Sequence, residues 1–227
     1  MGADFEALNQ FDGTARLFPL PNMVLFPQVV QPLHIFEPRY RQMTKDALAT
    51  DSLIAMALLR PGQENELDER PAIYPMACLG VIIADKMLDD GRYLLLLRGL
   101  SRIRIVNETK SASSYRSAQA EIVPDLLTIS PLECRHVREQ LGKLLLPRFT
   151  GDERERRHLL EMIDGETALG ELCDMLSFRL PMPLAQKQEL LEQPDVGVRA
   201  QVLLEVLESL PTPGVKRRQF PAKFSDN

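Results

Sequence analysis

At 227 residues, with 44% hydrophobic and 26% charged side chains, the chain has globular proportions and can bury a core as one large domain or two small ones. Its net charge of −5 argues against broad electrostatic binding to nucleic acid, and no apolar run approaches the ~20 residues a membrane helix needs. The opening MGADFEALNQ puts no positive charge ahead of an apolar stretch, and Glu6 stands where N-myristoylation needs Ser or Thr, so a cytoplasmic protein is expected.

Residues 1–14 are expected as a flexible N-terminus. From 16 to 43 the sequence reads RLFPLPNMVLFPQVVQPLHIFEPRYRQM, with Pro19, Pro21, Pro27, Pro32 and Pro38 separating short apolar strings. A proline gives no amide proton to a ladder and sits at strand starts, edges and bulges, so these strings read as brief strands turning sharply in a compact β-layer. One helix interrupts, starting at Pro38 with Tyr40, Met43, Ala47 and Leu48 at helical spacing. Further strands are expected at 53–59 (LIAMALL), 77–84 (ACLGVIIA, with Gly80 a candidate bulge), 93–98, 101–106 and 115–123. Asp89-Asp90-Gly91 supplies a turn, and 62–71 (GQENELDERP) a polar loop. In 101–106, Ile103 and Ile105 alternate with Arg102 and Arg104, which predicts a half-buried strand with a charged outer face.

After Ser130 the period becomes helical. Ser130-Pro131-Leu132-Glu133 is a capping box with proline at the first helical position, and Leu132, Val137, Leu141, Leu144 and Leu145 mark its buried stripe. More helices are expected over 152–163, around Leu169 to Leu180, over 184–193, and from Asp195 to Leu210. Residues 211–227, with Lys216, Arg217, Arg218 and Lys223, are expected as a disordered basic tail.

The strings RLFPLPNMVLFPQVVQPLHIFEPRYRQM, YPMACLGVI and LLLLRGLSRIRI, followed by LPMPLAQKQELLEQPDVGVRAQVLLEVLESL, resemble in that order the Lon amino-terminal domain, the substrate-binding part of an ATP-dependent protease. Lys187, Gln188, Leu190, Leu191 and Glu192 match a KQxLLE string of that family. The likeness covers 15–210, and implies an α+β fold: a PUA-like β pseudo-barrel with an inserted helix (15–127), then an α-helical bundle (128–210). It implies a role in receiving unfolded or tagged protein. The chain ends where the ATPase module would begin, and Gly142-Lys143 lacks the upstream glycine and following Ser or Thr of a P-loop. The expectation is therefore a free-standing, non-catalytic version whose eligible function is binding, without a cofactor.

The residues support no catalytic constellation. His34, His136 and His158 form no metal-type spacing with each other or with Cys78, Cys134 and Cys173, which read as buried free thiols. His34 reads as an imidazole bonded to backbone within an apolar strand. Glu64, Glu66, Asp68 and Glu69 lack the EF-hand pattern. Binding candidates are Met23, Phe26, Phe36, Tyr40, Tyr74 and Met76, expected to line a groove between the β-layer and the first helix that accepts unfolded or apolar protein segments. Glu37, Arg39 and Arg41 flank that helix start. Two alternatives stay open: a PUA-like RNA-binding protein, which needs a basic face joining Arg102, Arg104, Arg116 and the tail, and a scaffold for one folded partner.

Overall fold

The apolar strings between prolines become β1 (Thr14–Leu20) and β2 (Val30–Ile35), and Pro38 opens helix α2 (Pro38–Leu48). Then come β3 (Leu53–Leu58), β4 (Met76–Met87), β5 (Tyr93–Thr109) and β6 (Arg116–Val123). A helical part follows: α3 (Pro131–Leu145), α4 (Glu153–Asp164), α5 (Leu169–Arg179), α6 (Leu184–Glu192) and α7 (Val196–Ser209). A helix here numbered α1 (Gly2–Asn9) precedes them all. This computed structural model describes residues 2–62, 70–109, 112–148, 153–165 and 167–211, without the side chains of 2–5, 155 and 158. Glu64, Glu66, Leu67, Asp68 and Glu69 of the polar loop, the His158 side chain and the tail beyond 211 thus lie outside the described residues.

The strands form one mixed sheet in the order β2-β5-β4-β3-β1-β6, and β5 also pairs with β6. That last pairing closes β1, β3, β4, β5 and β6 into a ring, with β2 left outside on β5. β1 and β3 run parallel; the other pairs are antiparallel. A five-stranded ring is narrow, and its interior is filled by small and medium side chains: Ala15, Leu17, Ala55, Ala57, Ala77, Leu79, Ile103, Ala118 and Ala120. The outer face of the ring carries the second core, where Phe18, Ile54, Met56, Cys78 and Leu97 meet α2 and the helical part. β3 is buried along both faces, which is why its sequence is continuously apolar.

Within the expected N-terminal segment, Ala7 and Leu8 of α1 and Phe11 after it pack on the ring's interior cluster. Two local expectations change. The strands expected at 93–98 and 101–106 are one, β5, with a register shift opposite Leu79 and Gly80 where Gly99-Leu100 lies. Glycine is required at 99, because a Cβ there would stand 2.1 Å from the Phe26 carbonyl oxygen. The other is the outward face of Arg102, which is not solvent-facing but buried.

The helical ends follow their sequence signals. Ser130 and Glu133 exchange both bonds of the capping box at α3, and the Asp195 carboxylate accepts from the Gly197 and Val198 amides at α7. The KQELLE string joins the two parts. The Gln188 side chain donates to the Met76 carbonyl at 3.0 Å, Leu190 and Leu191 are buried, and the Leu191 carbonyl accepts from Arg102.

Candidate functional site

Of the residues expected to line a groove between the β-layer and the first helix, Phe26, Tyr40 and Met76 are core residues, and Phe26 is fully buried. The Tyr40 ring meets Phe18 edge-on at 4.6 Å and lies under the Arg39 guanidinium; burial raises its phenol pKa, with the Arg39 charge opposing. α2 packs by Tyr40, Met43, Thr44 and Ala47, all buried. Met23 and Tyr74 are half-buried against the same core, Tyr74 with the Arg60 guanidinium 5.6 Å from its ring. Phe36 alone of the six is exposed, at 60%. Glu37 and Arg39 pair with each other at 2.7 Å at the surface.

Phe36 belongs instead to an apolar face that local patterning did not mark. Beyond the closed ring, β4 and β5 run on and β2 joins them, giving a three-stranded flap. One side of the flap is core: Ile35, Ile82, Leu95 and Leu97 are buried there. Residues directly opposite share a face, so Pro32, Leu96 and Ala84 form one row on the other side and His34, Leu94 and Lys86 the next. This side is open. Leu94 is 45% exposed, and Val30 and Leu96 are exposed as well. A depression of about 490 Å³ runs over Pro32, His34, Ala84, Leu94 and Leu96. His34 is therefore not bonded within an apolar strand as expected; it is exposed, with its imidazole 5.9 Å from the Phe36 ring.

A second concavity, about 460 Å³, lies between barrel and helices, and its floor corrects the reading of Arg102. Arg102 does point outward from the ring, but the helices cover it and leave it 2% exposed. Its guanidinium donates to the Leu191 carbonyl at 3.0 Å, to Asp125 at 3.0 Å, and to both oxygens of buried Asp174. Arg199, also buried, grips the two Asp125 oxygens at 2.9 and 2.7 Å. Burial raises the Asp174 carboxyl above its ordinary value, and the Arg102 guanidinium pulls against that. Two guanidiniums and two carboxylates compensate one another, so this cleft is a joint between the parts of the fold. Arg116 is likewise engaged, by Glu108 and the Pro71 carbonyl, and Arg104 sits opposite Glu121. Arg102, Arg104 and Arg116 thus form no continuous basic face.

The thiols offer no chemistry of their own. Cys78 and Cys173 are buried, which pushes both above their ordinary pKa, Cys173 to about 12; Cys134 is half-buried. Among the described residues no group of three or more His, Cys, Asp or Glu is placed to hold a metal ion. None of their helices is long and apolar enough to cross a membrane.

A family model described as the ATP-dependent protease La (LON) substrate-binding domain matches residues 14–209. The chain belongs to this family. Lon protease 2 of Myxococcus xanthus is 26% identical over 197 residues, covering 84% of the chain and 23% of the relative. Lon protease 2 of Syntrophobacter fumaroxidans is 32% identical over 116 residues, 51% of the chain and 14% of the relative. The chain thus spans about a quarter or less of the curated Lon proteases it matches. Two solved structures share the fold over 87% of the chain: the N-terminal domain of a Mycobacterium avium complex Lon protease, with TM-score 0.66 and 20% identity, covered whole, and a Lon N-terminal domain protein from Xanthomonas campestris, with TM-score 0.60 and 23% identity, covered to 99%. In this Lon domain the KQELLE string is the fastening described above: Gln188 holds β4 and Leu191 holds β5.

Proposed function

We propose that this Lon domain binds apolar segments of other proteins, in the cytoplasm, on the open face of β2, β5 and β4, and that it does so without catalysis. The supporting observation is the set of exposed Val30, Leu94, Leu96 and Phe36 side chains on one side of a flap whose other side is core. Scattered exposed apolar residues need no explanation, but Leu94 and Leu96 over one depression, with Val30 and Phe36 on the same side, call for a covering partner. Of the six residues expected at the site, Phe36 is the one that keeps a part in it. The test is to replace Leu94 and Leu96 together by serine and measure binding of a fluorescent, reduced and alkylated unfolded protein. Both positions are exposed, so stability changes by less than about 1 kcal/mol. The expected result is a loss of affinity of about tenfold or more, with parental binding only weakly dependent on salt. Unchanged affinity in the double variant would remove this face from the function.

A further inference from the structure

Resting on that reading, we infer that the occupant enters as an extended strand on the free edge of β2, held by main-chain bonds, with alternate apolar side chains extending the open face and an acidic residue flanking them. β2 pairs with β5 on one side, and among the described residues no strand pairs with its other side. The phase of that free edge follows from Pro32. A proline has no amide hydrogen, so Pro32 and Leu96 make a non-hydrogen-bonded pair, and Gln31, Leu33 and Ile35 are the residues that exchange bonds with β5. The bonds just before the strand agree: the Gly99 amide donates to the Val29 carbonyl and the Gln28 amide to the Gly99 carbonyl, each at 2.9 Å. Val30 and His34, in the phase of Pro32, therefore turn their N–H and C=O away from β5 into solvent.

The same phase decides where the side chains lie. Val30, Pro32 and His34 are exposed, and their side chains stand on the open apolar face. An antiparallel segment that exchanges two bonds with Val30 and two with His34 places its bonding residues' side chains on that same face, next to Phe36 at one end. Between them Pro32 offers only its carbonyl, which already accepts from the Gln31 side chain at 2.8 Å. The site therefore reads backbone and alternation, not a particular sequence. Charge selects between occupants. Lys86 stands in the rows of this face, and Asp85, which also borders the depression, pairs with Leu95 of the covered side, so a second copy of the chain would set Lys86 against like charge, whereas an acidic flank is complemented.

The probe is a fluorescent eight-residue peptide of alternating valine and threonine with glutamate at each end, and the readout is anisotropy with the intact chain. When the valines lie on the apolar face, it is their amides that point at β2. N-methylation of the valines is expected to weaken binding about tenfold or more, and N-methylation of the threonines by less than about threefold. Exchanging the glutamates for lysine also weakens binding. In the protein, His34→Pro removes one outward donor and leaves the bonds to β5 intact, so it weakens binding about fivefold beyond whatever His34→Ala, which keeps the amide, does; should His34→Pro unfold, the peptide series decides alone. Equal loss from methylation in either phase overturns strand addition. So does a dimer in sedimentation that the peptide fails to dissociate. Strand addition fails separately from the face itself: if the Leu94/Leu96 serine variant loses binding but the methylation phases are equal, the face stands and the strand geometry falls.

Discussion

Arg102→Met tests whether the buried joint holds the two parts of this Lon domain together. The substitution keeps most of the side-chain volume and removes the donor of the bonds to Leu191, Asp125 and Asp174. Asp174, 1% exposed, is then left with the Arg199 Nε at 3.6 Å, too long and too poorly placed to replace a bidentate partner. The Leu191 carbonyl loses its partner as well. Removing one member of a buried pair costs about 3–5 kcal/mol, which for a chain of this size lowers Tm by roughly 6–11 °C. Asp174→Leu should cost a similar amount, because it leaves two buried guanidiniums sharing the single Asp125 carboxylate. The double variant leaves an apolar contact and a complete Arg199–Asp125 pair, so it should cost well below the sum, with a coupling of about 3 kcal/mol. The chain has no tryptophan, so urea unfolding is followed by far-UV circular dichroism and tyrosine fluorescence. Single variants each within about 1 kcal/mol of the parent, or a double variant equal to the sum, would refute the joint.

Gly99→Ala should destabilise by about 2–3 kcal/mol in the same assay, because the added methyl meets the Phe26 carbonyl backbone and not a side chain able to move. A thiol-specific disulfide reagent should modify half-buried Cys134 in the native protein, while buried Cys78 and Cys173, both raised in pKa, react at the rate of unfolding; three fast thiols would contradict the packing. The Asp195 carboxyl is held below its ordinary value first by the Thr128 hydroxyl and then by the α7 amides. Its stabilisation is thus present above the unfolded pKa and lost as pH falls through the folded one, so Tm should drop between about pH 5 and pH 3, and Asp195→Asn should show a shallower drop in melts across that range.

The strings that gave the strands and helices away were those in which burial and local pattern coincide. The 53–59 run is apolar because β3 is covered on both faces, and Ser130 to Glu133 caps α3 as its spacing predicts. Three of the expected site residues are buried for a physical reason: Phe26, Tyr40 and Met76 are apolar because the core needs them, and sequence cannot separate that need from a ligand's. The alternation at Arg102 was read with the correct parity and the wrong surroundings. Its partner Asp174 is 72 residues away, on a helix whose packing no local window reveals. Arg199 carried a readable signal, since it falls three residues after Val196 and four before Leu203, on the buried stripe of α7. A charged residue inside an apolar stripe asks for a buried counter-charge, and Asp174 within LCDML is such a group. The exposed face lacked any such sign. Leu94 to Leu97 is a continuous apolar run, and only the topology tells that 95 and 97 are covered while 94 and 96 are not.

That topology explains why the face is open. On β4, Ala77, Leu79 and Val81 point into the ring, and after the irregularity between Ile82 and Ala84 the same side continues as Ala84 and Lys86. On β5, Ile103 and Ile105 point inward, and Leu94 and Leu96 continue that side past the bulge near Gly99. The open face is thus the barrel's interior surface carried beyond the point where β6 closes the ring, along strands too long for it. β2 covers the flank of this extension, not its face. A ring closed along the full length of β5 would bury Leu94 and Leu96 as it buries Ile103. Because β5 is one strand, its second half, fixed by Arg102 to Asp174 and Leu191, holds its first half rigidly in place. The joint and the proposed binding face are two ends of one element. It follows that loosening the joint at Arg102 should weaken capture of apolar segments even though no joint residue touches that face.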